Sequence, residues 1–175
     1  MSRVIKINLD SGVDSGLSEL EDYINELNGK LETFINTLVS SGVSVAGLCV
    51  SNTKGDSKRP DVIYKVDAKG EIVRAEIAIV GSDVLFVEFG AGIAYNTGAQ
   101  HPHAGEFGYG IGTYPSKHPP NRAINPGYWY YSDHDSVGAT VRKRSIGTEA
   151  TMPIYNAAET MRNEIITKAV DAFRS

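Results

Sequence analysis

Cysteine is nearly absent from this chain of 175 residues. Cys49 is the only one, so no internal disulfide can form, and a disulfide-stapled secreted scaffold is excluded. The thiol lies in the apolar run "VSVAGLCV" and reads as a small buried hydrophobe. An apolar leader is also missing, since "MSRVIKINLD" has no hydrophobic core segment. No run reads as the roughly 20 apolar residues that cross a bilayer. These features set the expectation of a protein made in the cytoplasm, without membrane contact. Strong positive charge is lacking too: the net charge is −4, and "VRKRS" (Val141–Ser145) is the one basic cluster. Three cations are a thin basis for neutralising phosphates, so a DNA-binding accessory protein using Arg142–Arg144 is a minor alternative.

The motifs of common chemistries are missing as well. "GYGIG" (Gly108–Gly112) spaces its glycines as G-x-G-x-G, whereas dinucleotide and phosphate loops need G-x-G-x-x-G or G-x-x-x-x-G-K-[ST]. No H-E-x-x-H, C-x-x-C or G-x-S-x-G occurs. His101 and His103 would share one face of an extended segment, while His118 and His134 stand apart. They leave open the alternative of a small metal-dependent hydrolase or nuclease. Otherwise the reading is of a non-enzyme with no cofactor and no resident metal. Glu88 sits in "VLFVEFG", where a carboxylate must be paired, hydrogen-bonded or exposed, because a lone buried charge is costly.

What is present divides into periodic ends and an unusual middle. The length suits one domain over residues 1–175. "RVIKINL" (Arg3–Leu9) reads as a strand. Leu17, Leu20, Ile24, Leu27, Leu31, Phe34, Ile35 and Leu38 have helical spacing, and "SSG" ending at Gly42 supplies a stop. "VSVAGLCV" (Val43–Val50) then looks like a strand. "DVIYKV" and "EIVRAEIAIV" flank "DAKG" as a hairpin, with Val73, Ala75, Ile77 and Ile79 on one face and Arg74 and Glu76 on the other. A last helix begins at Thr151–Met152–Pro153, with Thr151 in the N-cap position and Pro153 in the first turn. Ile154, Ala158, Met161, Ile165, Ala169 and Phe173 give it one apolar face. The resulting fold class is α+β: an antiparallel sheet packed by a long helix in the N-terminal half and a C-terminal helix.

Residues 90–135 hold all four histidines, the only tryptophan, six of nine tyrosines, five of seven prolines and eight of 18 glycines. So long a segment with few aliphatic residues is an active site, a ligand-cradling loop, or an arm that packs on another protein. Disordered chains are poor in aromatics, and this one is rich in them. Aromatic rings favour interface cores, while glycine and proline let a loop follow a neighbour's surface. The arm reading is therefore preferred for residues 90–135. Within it, "YWYY" and "ATVRKRS" can pair as a further hairpin. Charge also differs between the ends: residues 1–40 carry three basic and seven acidic side chains, and residues 136–175 carry six and four. That asymmetry suits contact between copies.

Two blocks carry a family resemblance. "FVEFGAGI" (Phe86–Ile93) holds an aromatic–acidic–aromatic–glycine pattern at Val87, Glu88, Phe89, Gly90 and Gly92. "SIGTEATMPIYNAAETMRNEI" (Ser145–Ile165) holds a "P-x-Y-x-A" helix opening at Pro153, Tyr155 and Ala157. With "HPHAGEFGYGIGTYP" and "NPGYWYY" between them, the chain resembles the phage tail-component family of head–tail joining and tail-completion proteins over about residues 15–173. Residues 90–135 make a longer arm than the simplest members have. The resemblance implies a structural virion protein that forms a ring, commonly a hexamer, at the neck or head-proximal end of a tail. Its partners would be copies of itself and the adjacent connector and tail-tube proteins, with DNA passing unbound. The partner-binding residues expected on this reading are Phe86, Glu88, Phe89, Tyr109, Tyr114, Tyr128 and Trp129.

Overall fold

A computed structural model describes residues 13–55, 57–69, 72–92, 101–107, 110–111, 129–134 and 137–174. The chain is α+β: a long N-terminal helix, a two-stranded antiparallel sheet and a C-terminal helix. Helix α1 spans Val13–Ser51, or 39 residues, about 58 Å at 1.5 Å per residue. Helix α3 spans Pro153–Arg174. The two run antiparallel: Phe34 meets Phe173 with ring centroids 6.4 Å apart, Gly42 faces Met161, and Asn156 Nδ2 lies 3.5 Å from Cys49 Sγ. Phe34, Leu38, Val39, Ala46, Val50 and Ala157 are buried along this seam.

The expected stop at Gly42 and the expected strand Val43–Val50 are both corrected, because α1 runs through them. Val39, Val43, Ala46 and Val50 lie at helical spacing, and a short apolar run satisfies either period. The hydroxyls at and around that expected stop bond inward instead. Thr33, Thr37, Ser40 and Ser44 each donate a hydroxyl to the carbonyl four residues back, at 2.8–2.9 Å. Gly42 is a contact residue, since a Cβ there would lie 2.7 Å from Ile77 Cδ1 and 2.9 Å from Met161 Sδ. One glycine thus lets α1 approach both α3 and the sheet.

No charged side chain occurs between Glu32 and Lys54. α1 contains an 18-residue window of mean hydropathy 1.5, long and apolar enough by length and composition to cross a membrane. That corrects the expectation that no such run exists. In the folded chain 33% of the window is buried.

Strands β1 (Asp61–Lys69) and β2 (Ile72–Val80) form the hairpin against α1. β1 runs through Asp67, Ala68 and Lys69, so the reversal falls later than expected, at 70–71, outside the described residues. Val62, Tyr64 and Val66 stand opposite Ile79, Ile77 and Ala75, on the face that carries Val73, as the alternation indicated. On the other face, Lys65 opposes Glu76 and Asp67 opposes Arg74, two opposite-charge pairs that favour this register. Asp67 beside it holds the exposed Lys65 ammonium above the usual lysine range, first by hydrogen bonding and then by its charge.

The remaining strands do not join this hairpin into the single sheet expected from the sequence. β3 (Ala91–Gly92) pairs in parallel with β4 (Gly110–Ile111), and β5 (Trp129–His134) pairs antiparallel with β6 (Thr140–Ser145). The β5–β6 hairpin agrees with the pairing read from "YWYY" and "ATVRKRS". A short helix, α2 (Val84–Phe89), precedes β3. The expected strand Arg3–Leu9 and the arm positions 93–100 and 112–128 lie outside the described residues.

Candidate functional site: the junction of α2 and α3

The two sequence blocks of the resemblance meet at one place. Val87 is fully buried on α2, and its carbonyl accepts the backbone N–H groups of Thr151 (3.0 Å) and Met152 (3.4 Å). Ala91 and Thr148 exchange both backbone hydrogen bonds, at 3.0 and 2.9 Å. Gly90 has φ +74, and a Cβ there would lie 3.0 Å from that of Ala150. Glycine is therefore required twice at this position, by conformation and by proximity. Gly55 is tighter still: its φ is +116, and an added Cβ would meet the Gly147 carbonyl oxygen at 2.1 Å.

Glu88 closes the junction. Its side chain is 10% exposed, and its two oxygens accept the backbone N–H groups of Ile154 (Oε2) and Tyr155 (Oε1), both at 2.9 Å. These are the second and third residues of α3, whose amides have no partner within the helix. A carboxylate also suits the positive end of the helix dipole. The expected cap, Thr151, does not serve. Helix α3 begins at Pro153, which leaves Met152 in the cap position with φ +52. Methionine can offer those amides only a weak thioether acceptor, and a carboxylate 66 residues upstream takes the place of a cap. Thr151 instead faces Thr53, with their hydroxyls 3.3 Å apart. Pro153 stands first in the helix, where its missing N–H costs nothing, as expected.

Around Glu88 lies a shell of rings. His101 is buried, and its Nδ1 accepts the His103 backbone N–H at 3.1 Å. The ring proton is thereby placed on Nε2, which points at Glu88 Oε1 from 3.4 Å. His101 meets Phe89 edge-on at 4.5 Å and Tyr155 at 5.1 Å. Phe89 continues to Phe107 at 5.4 Å, and Phe107 is 62% exposed. His103 Nδ1 pairs with Glu106 Oε1 at 3.0 Å on the surface. Among the described residues, no three His, Cys, Asp or Glu side chains gather to hold a metal ion.

Of the residues expected to bind partners, Phe86, Glu88 and Phe89 fall together on α2. Glu88 spends its carboxylate inside the chain, which is the hydrogen-bonded alternative raised by its apolar surroundings. Phe89 instead begins a line of rings that reaches the surface at Phe107. Trp129 opens β5 opposite Ser145, away from α2 in sequence, and Tyr109, Tyr114 and Tyr128 lie outside the described residues. Sequence reasoning missed Phe107, Thr148 and Gly55. Nothing in "NTKGDSK" marked Gly55 as the point where the chain touches Gly147. No family model matches this chain, nor does any curated protein or solved structure.

Proposed function

We propose that this protein is a ring-forming subunit at the neck or head-proximal end of a phage tail or tail-like particle, where it joins tail to connector or ends the tube. One observation carries the reading: the two blocks that resemble the tail-component family are a single interlocked unit, with Glu88 of one block capping the helix opened by the other. A likeness confined to matching strings would not require those strings to touch. The architecture is also that of a subunit with surface left to cover. Each described sheet has only two strands, and a strand pair depends on packing against a helix or a neighbour to be stable. Ile63, Ile72, Val80 and Phe107 stand more than half exposed or close to it, at 51, 58, 50 and 62%. The function is then mechanical: the body, with Ala91 and His101 packed into it, supplies a rigid junction, and the remainder of residues 90–135 reaches neighbouring copies or the next ring. A net charge of −4 suits a passage that does not grip DNA.

Native mass spectrometry of the full chain, followed by electron microscopy of assembled particles, tests this. A closed ring, alone or on a tail, is the expected result. A chain that stays monomeric and is absent from the neck of any particle contradicts it. Stoichiometric zinc or manganese in the purified protein would point instead to the hydrolase alternative.

A further inference from the structure

A groove between α1 and α3 is rich in hydrogen-bond acceptors and poor in donors. Thr37, Ser40 and Ser44 of α1 line it together with Thr160, Glu164 and Lys168 of α3, around a volume of about 440 Å³. That lies within the usual size of ligand sites, about 300–1,000 Å³. The three α1 hydroxyls have each given their proton to the carbonyl four residues back. A hydroxyl owns one proton and two lone pairs, so lone pairs are all that these three can still offer. Glu164 adds a carboxylate with one oxygen in an unusual state. Its Oε2 is shut off from water and receives no hydrogen bond, the one buried side-chain polar atom of the described residues left so. Lys168 Nζ lies 3.4 Å from it, an ion pair beyond the usual hydrogen-bond distance. A buried acceptor without a donor is costly, and a ligand that supplies the donor recovers that cost.

We infer that this groove takes the guanidinium groups of Arg142 and Arg144 from a second copy of the chain, in a head-to-tail contact that deepens the ring reading and rests on it. The chemistry of the groove selects the ligand. An anion would meet the Glu164 charge and a row of lone pairs, and an apolar segment would leave Oε2 without a donor. A guanidinium carries five N–H donors, no acceptor and a permanent charge, which complements such a wall. The chain itself holds the source. "VRKRS" is its one basic cluster, and Arg142, Lys143 and Arg144 are all exposed on β6. Strand alternation puts Arg142 and Arg144 on one face and Lys143 on the other, with the arginines about 7 Å apart at 3.4 Å per residue. Ser40 and Ser44 stand one turn apart on α1, about 6 Å at 1.5 Å per residue. The two spacings match, so both arginines can lie along the groove. No residue of β6 lines the groove of its own chain. The carboxylates of Glu19, Glu21 and Asp22 are weaker acceptors for the same cations, because they stand exposed and are screened by water and salt. Groove and strand are different patches, so the contact is heterologous, the kind whose repetition can close a ring.

Charge reversal in the full chain tests the contact by sedimentation and native mass spectrometry. Glu164→Arg and Arg144→Glu should each weaken assembly by roughly tenfold or more, with helix content by circular dichroism unchanged. The double variant should recover to within about three-fold of the parent, because each interface again joins a carboxylate to a guanidinium. Lys143→Glu, on the other face of β6, should weaken assembly far less than Arg144→Glu. Single variants that assemble as the parent does, or a double variant no better than either, overturn this contact and leave the ring reading standing. Assembly weakened by Glu164→Arg but indifferent to reversal of both Arg142 and Arg144 overturns the assignment to β6. A parent chain that stays monomeric at high micromolar concentration overturns the contact and the ring reading together.

Discussion

Replacing Glu88 by alanine tests the junction most directly, because one side chain satisfies two amides of α3 and faces a third donor on His101. Hydrogen bonds to a charged group contribute about 1.5–3 kcal/mol each. Loss of a helix N-cap costs typically about 1 and at most about 2 kcal/mol. The site is buried, so water replaces the carboxylate poorly, and the two amides stay within 3 Å of an empty volume. A destabilisation of about 2–4 kcal/mol is expected on these grounds. For a chain of this size that is a fall in Tm of roughly 5–15 °C. Glu88→Gln should not rescue it fully. Its carbonyl can accept one amide, but its NH2 group then faces the other N–H, donor against donor. Thermal melting followed by circular dichroism gives the magnitude, and amide hydrogen exchange gives the place. Protection should be lost first at Ile154 and Tyr155, at the start of α3, and less at Arg162 and beyond. A Glu88→Ala protein that melts within about 2 °C of the parent, with Ile154 and Tyr155 still protected, would refute the reasoning.

Gly55→Ala should be more damaging than an ordinary loop substitution, by about 2 kcal/mol or more in denaturant melts, because it combines a positive φ with a contact to the backbone of Gly147. Gly42→Leu should force α1 from α3 and β2 and cost about 1–3 kcal/mol as an overpacked contact, visible as a lowered midpoint with the fold retained. Trp129→Ala should leave the body folded by circular dichroism but weaken assembly by about 2 kcal/mol or more, read as loss of ring species in native mass spectra. Unchanged assembly would remove Trp129 from the interface.

The local chemistry of the chain made several features legible. Alternation at Val73–Ile79 marked the face of the hairpin, and the opposite charges at Lys65, Asp67, Arg74 and Glu76 agree with its register. Pro153 and the apolar spacing after it marked α3. The α1 boundary was not legible, since serine and glycine at 40–44 are the residue types of a turn. Whether their hydroxyls turn to the helix carbonyls or break the helix depends on α3 and β2 lying against Gly42. The cap of α3 was hidden for a related reason, because local reasoning searches the preceding residues and finds Thr151.

Periodicity, turn formers and composition by themselves determined that this chain has two amphipathic helices, a hairpin between them and an aromatic segment poor in aliphatic residues, because those properties arise between residues a few positions apart. Tertiary structure alone decided that Glu88 caps a helix 66 residues away, that Gly55 touches Gly147, and that α1 outruns α3, with Leu17, Leu20, Ile24 and Leu27 left 37–51% exposed. Those facts depend on which groups, distant along the chain, meet in space, and a buried amide takes whichever acceptor the packing brings to it.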